Sequence, residues 1–167
     1  MALAVLGAWI GMTVAMWFAA AGSFRTLARV SETAAAKVGA ATQSASGEQT
    51  RLSFRYLVSE VNRTYFRAYG WAQLVLGVAL FALLLWRTPR DAASLALAGG
   101  MLVLAAVLTL YLTPQIVAVG RQFDFVPRDP VPAGMARFRT LHAAFTGLDG
   151  TKLLAGLALL VRLIWIR

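Results

Sequence analysis

The side chains with chemistry to offer are few and unevenly placed. There is one histidine, His142, and no cysteine. The missing thiols exclude disulfides, thiolate nucleophiles, zinc–thiolate sites and iron–sulfur clusters. One group of polar residues runs Asn62-Arg63-Thr64-Tyr65-Phe66-Arg67, with Gln73 further on. A second comprises Tyr111, Thr113, Pro114, Gln115 and Arg121, and a third Arg139, His142, Asp149 and Lys152. A histidine can ligate a metal, carry a proton or act as a hydrogen-bonding strut. Haem or copper would need a second ligand, and Met12 and Met16 belong near the opposite end of their helix. A structural or proton-handling role is therefore expected for His142.

Asp149 and Lys152, three residues apart at a membrane boundary, suit a local ion pair. The sharper alternative is a charge relay to His142, seven residues earlier on the same helical face. Arg63, Arg67, Arg121 and Arg139 could hold an anion such as a phosphate headgroup. The plainer expectation is that they set topology and pair with Glu60 or Asp124. Gln73 and Gln115, near lipid depth, should hydrogen-bond between helices. No Ser–His–Asp triad, phosphate-binding loop, GxGxxG or HExxH motif is present. No catalytic residue, metal ligand or cofactor is assigned, and the balance leans away from an enzyme.

The elements that must position these groups are membrane spans. Of 167 residues, 59% are hydrophobic and only 14% charged, against roughly a quarter charged in soluble domains. The charges fall in blocks between long uncharged runs, which predicts an all-α, up-down bundle of four spans in one membrane domain. The spans are expected at about 2–22, 68–86, 92–120 and 153–166, joined on one side by connections 23–67 and 121–152. The first run resembles a signal peptide only superficially: it lacks a basic start and is too long.

Span 1 carries a small face, Ala4, Ala8, Gly11, Ala15, Ala19 and Gly22, with a GxxxG match at Gly7–Gly11. Packing inside the bundle is the favoured reading, and self-association the alternative. Residues 31–49 read as either a helical extension or a flexible connection, and Ser46 with Gln49 as a capping box. Before its span, helix 2 is amphipathic. Phe54, Val58, Val61 and Tyr65 lie on one side, and Arg51, Arg55, Arg63 and Arg67 recur in steps of four with Ser59 in the gap. Trp71 and Trp86 suit the two interfaces. Residues 87–91 form a turn around Pro89, and Pro114 should kink span 3 or end its regular part. Three prolines in 124–134 mark a loop. In span 4, nine Leu, Ile or Val residues outweigh Arg162, which can snorkel.

The net charge of +9 is distributed around these spans. Twelve Lys and Arg lie in the two large connections, and three (Arg87, Arg90 and Arg167) on the other side. This positive-inside bias puts the connections and the helix extensions in the cytoplasm and both termini outside. The expected surroundings are the bilayer and its anionic lipids, not nucleic acid.

Three stretches carry a resemblance across nearly the whole chain. They are the small-residue first span ending Ser23-Phe24-Arg25; Glu60-Val61-Asn62-Arg63-Thr64-Tyr65-Phe66; and Tyr111-Leu112-Thr113-Pro114-Gln115 with Phe138-Arg139-Thr140-Leu141-His142. They resemble the bacterial side of a four-helix membrane family of unknown function that includes human transmembrane protein 205. The resemblance implies a compact four-span bundle in a bacterial inner membrane. Eukaryotic members are linked to tolerance of a platinum drug, which points toward transport or trafficking. His142 is followed here by Ala143, where animal members typically have glycine. Three functions are thus expected: binding or moving a small or lipidic ligand at the cytoplasmic face, a haem or quinone redox role using His142 and tyrosines, or a structural place in a membrane complex.

Overall fold

The structure, a computed structural model, describes residues 1–41, 45–87 and 91–165, without the side chains of 31, 34–41, 45–47 and 87. Among these residues, four helices are long and apolar enough to cross a membrane. In hydrocarbon every backbone N–H and C=O must be paired within the segment, which leaves the helix as the form available to such sequences. Helix α1 spans Ala2–Ala41 and α2 spans Ala45–Arg87. At 1.5 Å per residue each is about 60 Å long, twice a bilayer core of about 30 Å. Both therefore project several turns past their apolar stretches on the basic side. Of the 31–49 stretch, the backbone is helical up to Ala41 and from Ala45. The turn around Pro89 and the Ser46 side chain lie outside the described residues.

The third pass is α3 (Ala92–Ala106), a π-helical turn (Val107–Leu112) and α4 (Thr113–Arg121). Pro114 explains the wide turn. It has no N–H for Leu110 O, and its ring would strike that carbonyl in a regular helix. The chain instead bonds Thr113 N–H to Leu108 O, five residues back, and the Thr113 hydroxyl donates to the same oxygen at 2.8 Å. The helix thus survives its proline by widening. The loop after α4 ends at Gly134, whose φ of +85° turns the chain into α5 (Met135–Trp165).

The four passes form a square: α1 packs on α2 and α5, α3 packs on α2 and α5, and α1 and α3 stand on the diagonal. At the end holding the N-terminus, Leu6, Trp9, Leu80, Met101 and Leu159 fill the centre. Trp9 fits because Gly77 faces it. A Cβ there would lie 2.9 Å from the indole and 2.8 Å from Leu102. Large apolar side chains such as Val75, Trp86, Leu154 and Val161 are exposed around the perimeter, as a lipid-facing surface requires.

One face differs from expectation, and a second is left open by the sequence. The small stripe of α1 points away from the bundle: Ala4, Ala8, Gly11, Ala15 and Ala19 are exposed, and nothing approaches Gly7 or Gly11 within 4 Å. Leu6, Trp9, Thr13 and Met16 face inward instead, because the close contacts are made by glycines on the partner helices. On α2, Val61 and Tyr65 are exposed, while Arg55, Ser59 and Arg63 turn inward. The neighbours waiting there are polar: Asp124 and the Val126 carbonyl of the loop.

Candidate functional site

The structure resolves the polar residues into two separate sites stacked along the bundle. The deeper one is a buried ionic cluster. Asp149 and Lys152 on α5 are 0% and 1% exposed, and their ion pair measures 2.5 Å. Lys152 also donates to Gln73 Oε1 and, at 3.2 Å, to the Tyr69 hydroxyl. Its Nζ lies 5.2 Å from the Tyr69 ring centroid, within cation–π range. Tyr69 in turn donates to Asp149 at 3.2 Å, and Trp17 Nε1 donates to Asp149 at 2.6 Å. Trp9 Nε1 donates to Gln73 at 3.2 Å. Desolvating each ion costs several kcal/mol, so such a pair persists only when its remaining hydrogen-bonding capacity is met. Here α1, α2 and α5 all contribute partners, and the cluster clamps those three helices together. Asp149 and Lys152 are thus an ion pair, as expected, enclosed inside the bundle.

One layer nearer the basic end, Phe66 and Phe145 meet edge to face with centroids 5.5 Å apart, packed on Leu108 and Leu112. This apolar layer separates the cluster from a cleft of about 450 Å³ between the diverging ends of α1, α2, α4 and α5. The inner end of the cleft is lined by Phe66, Ile116 and Phe145, and its α1 wall by Phe24 and Leu27. Gly120 on α4 admits the α5 wall: a Cβ there would lie 3.2 Å from the Phe138 ring. Toward the mouth the lining turns polar through Ser59, Asn62, Arg63, Asp124, Arg55 and Arg128.

Arg63 pairs with Glu60 on its own helix and with Asp124 across the bundle, through bonds of 2.8 and 2.9 Å. It fastens the 122–134 loop to α2. Arg55 donates to Val126 O, and Tyr56 packs against Phe125 at 4.7 Å. Phe125 has a φ of 59°, in the left-handed region that non-glycine residues seldom occupy. Asn62 stands apart from these satisfied groups. It is 5% exposed and lines the cleft, and among the described residues neither its amide nitrogen nor its amide oxygen has a hydrogen-bond partner. Each such orphan costs about 1–3 kcal/mol.

At the opposite end, Arg162 is not left to snorkel alone. It bonds Asp91, which also caps α3 through Ser94, with Nη2 2.7 Å from Oδ1. The Arg162 guanidinium, then Ser94, hold the Asp91 carboxyl down at about 2.

Of the residues singled out by sequence, Asn62, Arg63, Thr113 and His142 come together at the cleft. Gln73, Asp149 and Lys152 come together in the cluster. Tyr65, Arg67, Tyr111 and Arg139 are exposed, and Gln115 is half-buried outside the cleft lining. His142 is exposed at the cleft, stacked on Phe138 with centroids 6.0 Å apart. Among the described residues no hydrogen bond joins it to Asp149 or Lys152, so the two sites share a helix face but no relay. Sequence reasoning missed Trp9, Trp17 and Tyr69, which complete the cluster, and Arg55, Arg128 and the phenylalanines of the cleft. The Tyr69–Gln73 spacing of four, inside an otherwise apolar run, was the available signal.

A family described as a domain of unknown function, DUF4149, matches residues 4–123. The chain belongs to the DUF4149 family. Its described spans make it a multi-pass membrane protein of helical-bundle form. Neither the curated proteins nor the solved structures gave a match. The DUF4149 match ends at Phe123, so it takes in the α2 and α4 walls of the cleft and the Tyr69–Gln73 half of the cluster.

Proposed function

We propose that this DUF4149 protein binds a small amphipathic or lipidic ligand in the cleft at its basic end and hands it on without chemical change. The carrying observation is Asn62, a cleft-lining residue whose buried amide has a donor and an acceptor unpaired among the described residues. Buried polar groups are paired in the great majority of cases, so an orphaned amide on a residue that lines a cavity supports a ligand site beside it. The positive-inside rule assigns that end to the cytoplasm and both termini to the outside, and the resemblance adds a bacterial inner membrane to this reading. Exposed Arg25, Arg29, Arg121 and Arg139 on the same side suit anionic headgroups.

Kinship with the transmembrane protein 205 group belongs to this reading. It rests on short motifs that supply Asn62, Arg63, Phe66, Thr113 and His142 to the cleft. A redox role gains less support: Tyr65 and Tyr111 are exposed away from the cleft, and Tyr56, which lines it with His142, packs on Phe125. Native mass spectrometry of gently purified protein, with an absorption spectrum of the same sample, tests the proposal. The expected result is a retained amphiphile in a colourless sample. A chromophore would transfer the site to redox chemistry, and a bare protein would overturn the binding reading.

A further inference from the structure

The cleft has a direction, and its chemistry changes in order along it. On α2 the lining residues run Arg55, Ser59, Asn62, Phe66 from mouth to inner end, about 16 Å along the axis. The inner end is shut by the Phe66–Phe145 contact; its Thr113 hydroxyl already donates to Leu108 O, and the rest suits hydrocarbon. The middle offers the unpaired Asn62 amide, which needs both an acceptor and a donor or a water in reach.

The mouth offers cations. Arg63 is committed to Glu60 and Asp124. Among the described residues neither Arg55 nor Arg128 lies within 4 Å of a carboxylate. Arg55 spends one donor on Val126 O, and among the described residues the hydrogen bond of Arg128 goes to the Met135 sulfur, at 3.7 Å. Both line the mouth, near enough for their like charges to oppose one another, an effect that Asp124 and Glu48 offset in part. An anion between them would relieve that repulsion and accept their remaining donors in the forked geometry guanidinium favours.

We propose that the occupant is a single-chain anionic amphiphile: a phosphate or carboxylate head between Arg55 and Arg128, an ester, amide or hydroxyl linkage at Asn62, and one acyl chain whose first carbons lie against Phe66 and Phe145. This rests on the binding reading above and adds the ligand's class and orientation. A neutral sterol or a bare hydrocarbon would leave the mouth unanswered. A sugar or nucleotide would meet phenylalanines at the inner end. A volume of about 450 Å³, in the lower part of the usual range for ligand sites of about 300–1,000 Å³, suits one chain rather than two.

Three probes separate the parts: 1-oleoyl lysophosphatidate, octadecenyl phosphate (the head without the linkage), and monooleoylglycerol (the linkage without the anionic head). Each is titrated onto the full chain in a neutral sugar detergent and read by native mass spectrometry. Lysophosphatidate is expected to bind at least about tenfold tighter than either analogue. Arg55→Gln with Arg128→Gln should remove its advantage over monooleoylglycerol, and Asn62→Leu its advantage over octadecenyl phosphate. If the double arginine variant does not fold, raised salt on the wild type must weaken the two phosphates and spare the glyceride.

Equal binding of lysophosphatidate and monooleoylglycerol overturns the head assignment while the cleft reading stands. Equal competition by a diacyl anionic phospholipid overturns the single chain and makes the bilayer's own lipid the occupant. If no probe binds and Asn62→Leu changes nothing, the binding reading itself falls.

Discussion

Asp149→Asn would leave the Lys152 ammonium, 1% exposed, facing Gln73 and Tyr69 without a counter-charge. Breaking a buried ion pair by neutralising one member costs about 3–5 kcal/mol. Lys152→Met strands the carboxylate in the same way. Trp17 and Tyr69 still donate to it, which puts its cost near the lower end, about 3 kcal/mol. Neutralising both is different. An asparagine at 149 keeps an oxygen for Trp17 and Tyr69, and methionine fills the volume of the lysine stem. What remains is one amide N–H without a partner, about 1–3 kcal/mol. The double variant should therefore be at least about 3 kcal/mol more stable than the sum of the two single costs predicts. Equilibrium unfolding in bicelles, with helix separation as the signal, measures all four proteins. Neutral interhelical hydrogen bonds in membranes average only about 0.6 kcal/mol, so the size of the coupling distinguishes a charge effect from ordinary polar packing. Single variants that each cost under about 1 kcal/mol and simply add would refute the clamp.

Gly70→Ala should destabilise by about 1–3 kcal/mol, because a Cβ there would lie 2.7 Å from the branched Thr109 side chain. Gly11→Ala, with nothing within 4 Å, should gain up to about 1 kcal/mol of helix propensity, and thermal melts of the pair check both signs. Acid should weaken the end of the bundle at Asp91. Its carboxyl is held down at about 2 against an ordinary 3.8, so its contribution is complete above the ordinary value and disappears as pH falls through the folded one. Asp91→Asn should flatten that limb of a melting-temperature profile, and a wild-type profile already flat there contradicts the assignment. Asp124→Asn unfastens the 122–134 loop from Arg63, and limited proteolysis should find new cuts in that loop while hydrogen exchange in the Leu80–Met101 core stays unchanged.

The passes themselves were readable because lipid leaves a chain few options: uncharged runs of sufficient length must be helices, and Pro114 must disturb one of them. Direction of facing was less readable. The α1 stripe looked like a packing surface by composition, yet the closest inter-helix approaches depend on where Trp9 finds a glycine, and Gly77 lies 68 residues away in the sequence. The pairing of Arg63 with Glu60 and Asp124 was readable as the plainer expectation, but the Arg55 bond to Val126 O, 71 residues away, has no local sign. Trp17 and Asp149, 132 residues apart, carry no local sign of meeting. Spacing within one helix identified Asp149 with Lys152 and brought His142 into view. Only the square arrangement of the passes shows that Phe66 and Phe145 divide those residues between two sites.

The central claim is that Asn62 is held for a ligand and not for the fold, and one comparison tests it most directly. Asn62→Leu removes two unpaired buried polar atoms and fills the same space with carbon, so stability should be equal to the wild type or higher. Native mass spectra of the two proteins, purified identically, should show an amphiphile retained by the wild type and missing from the variant. A variant that melts well below the wild type, or one that keeps the same bound species, would contradict the account.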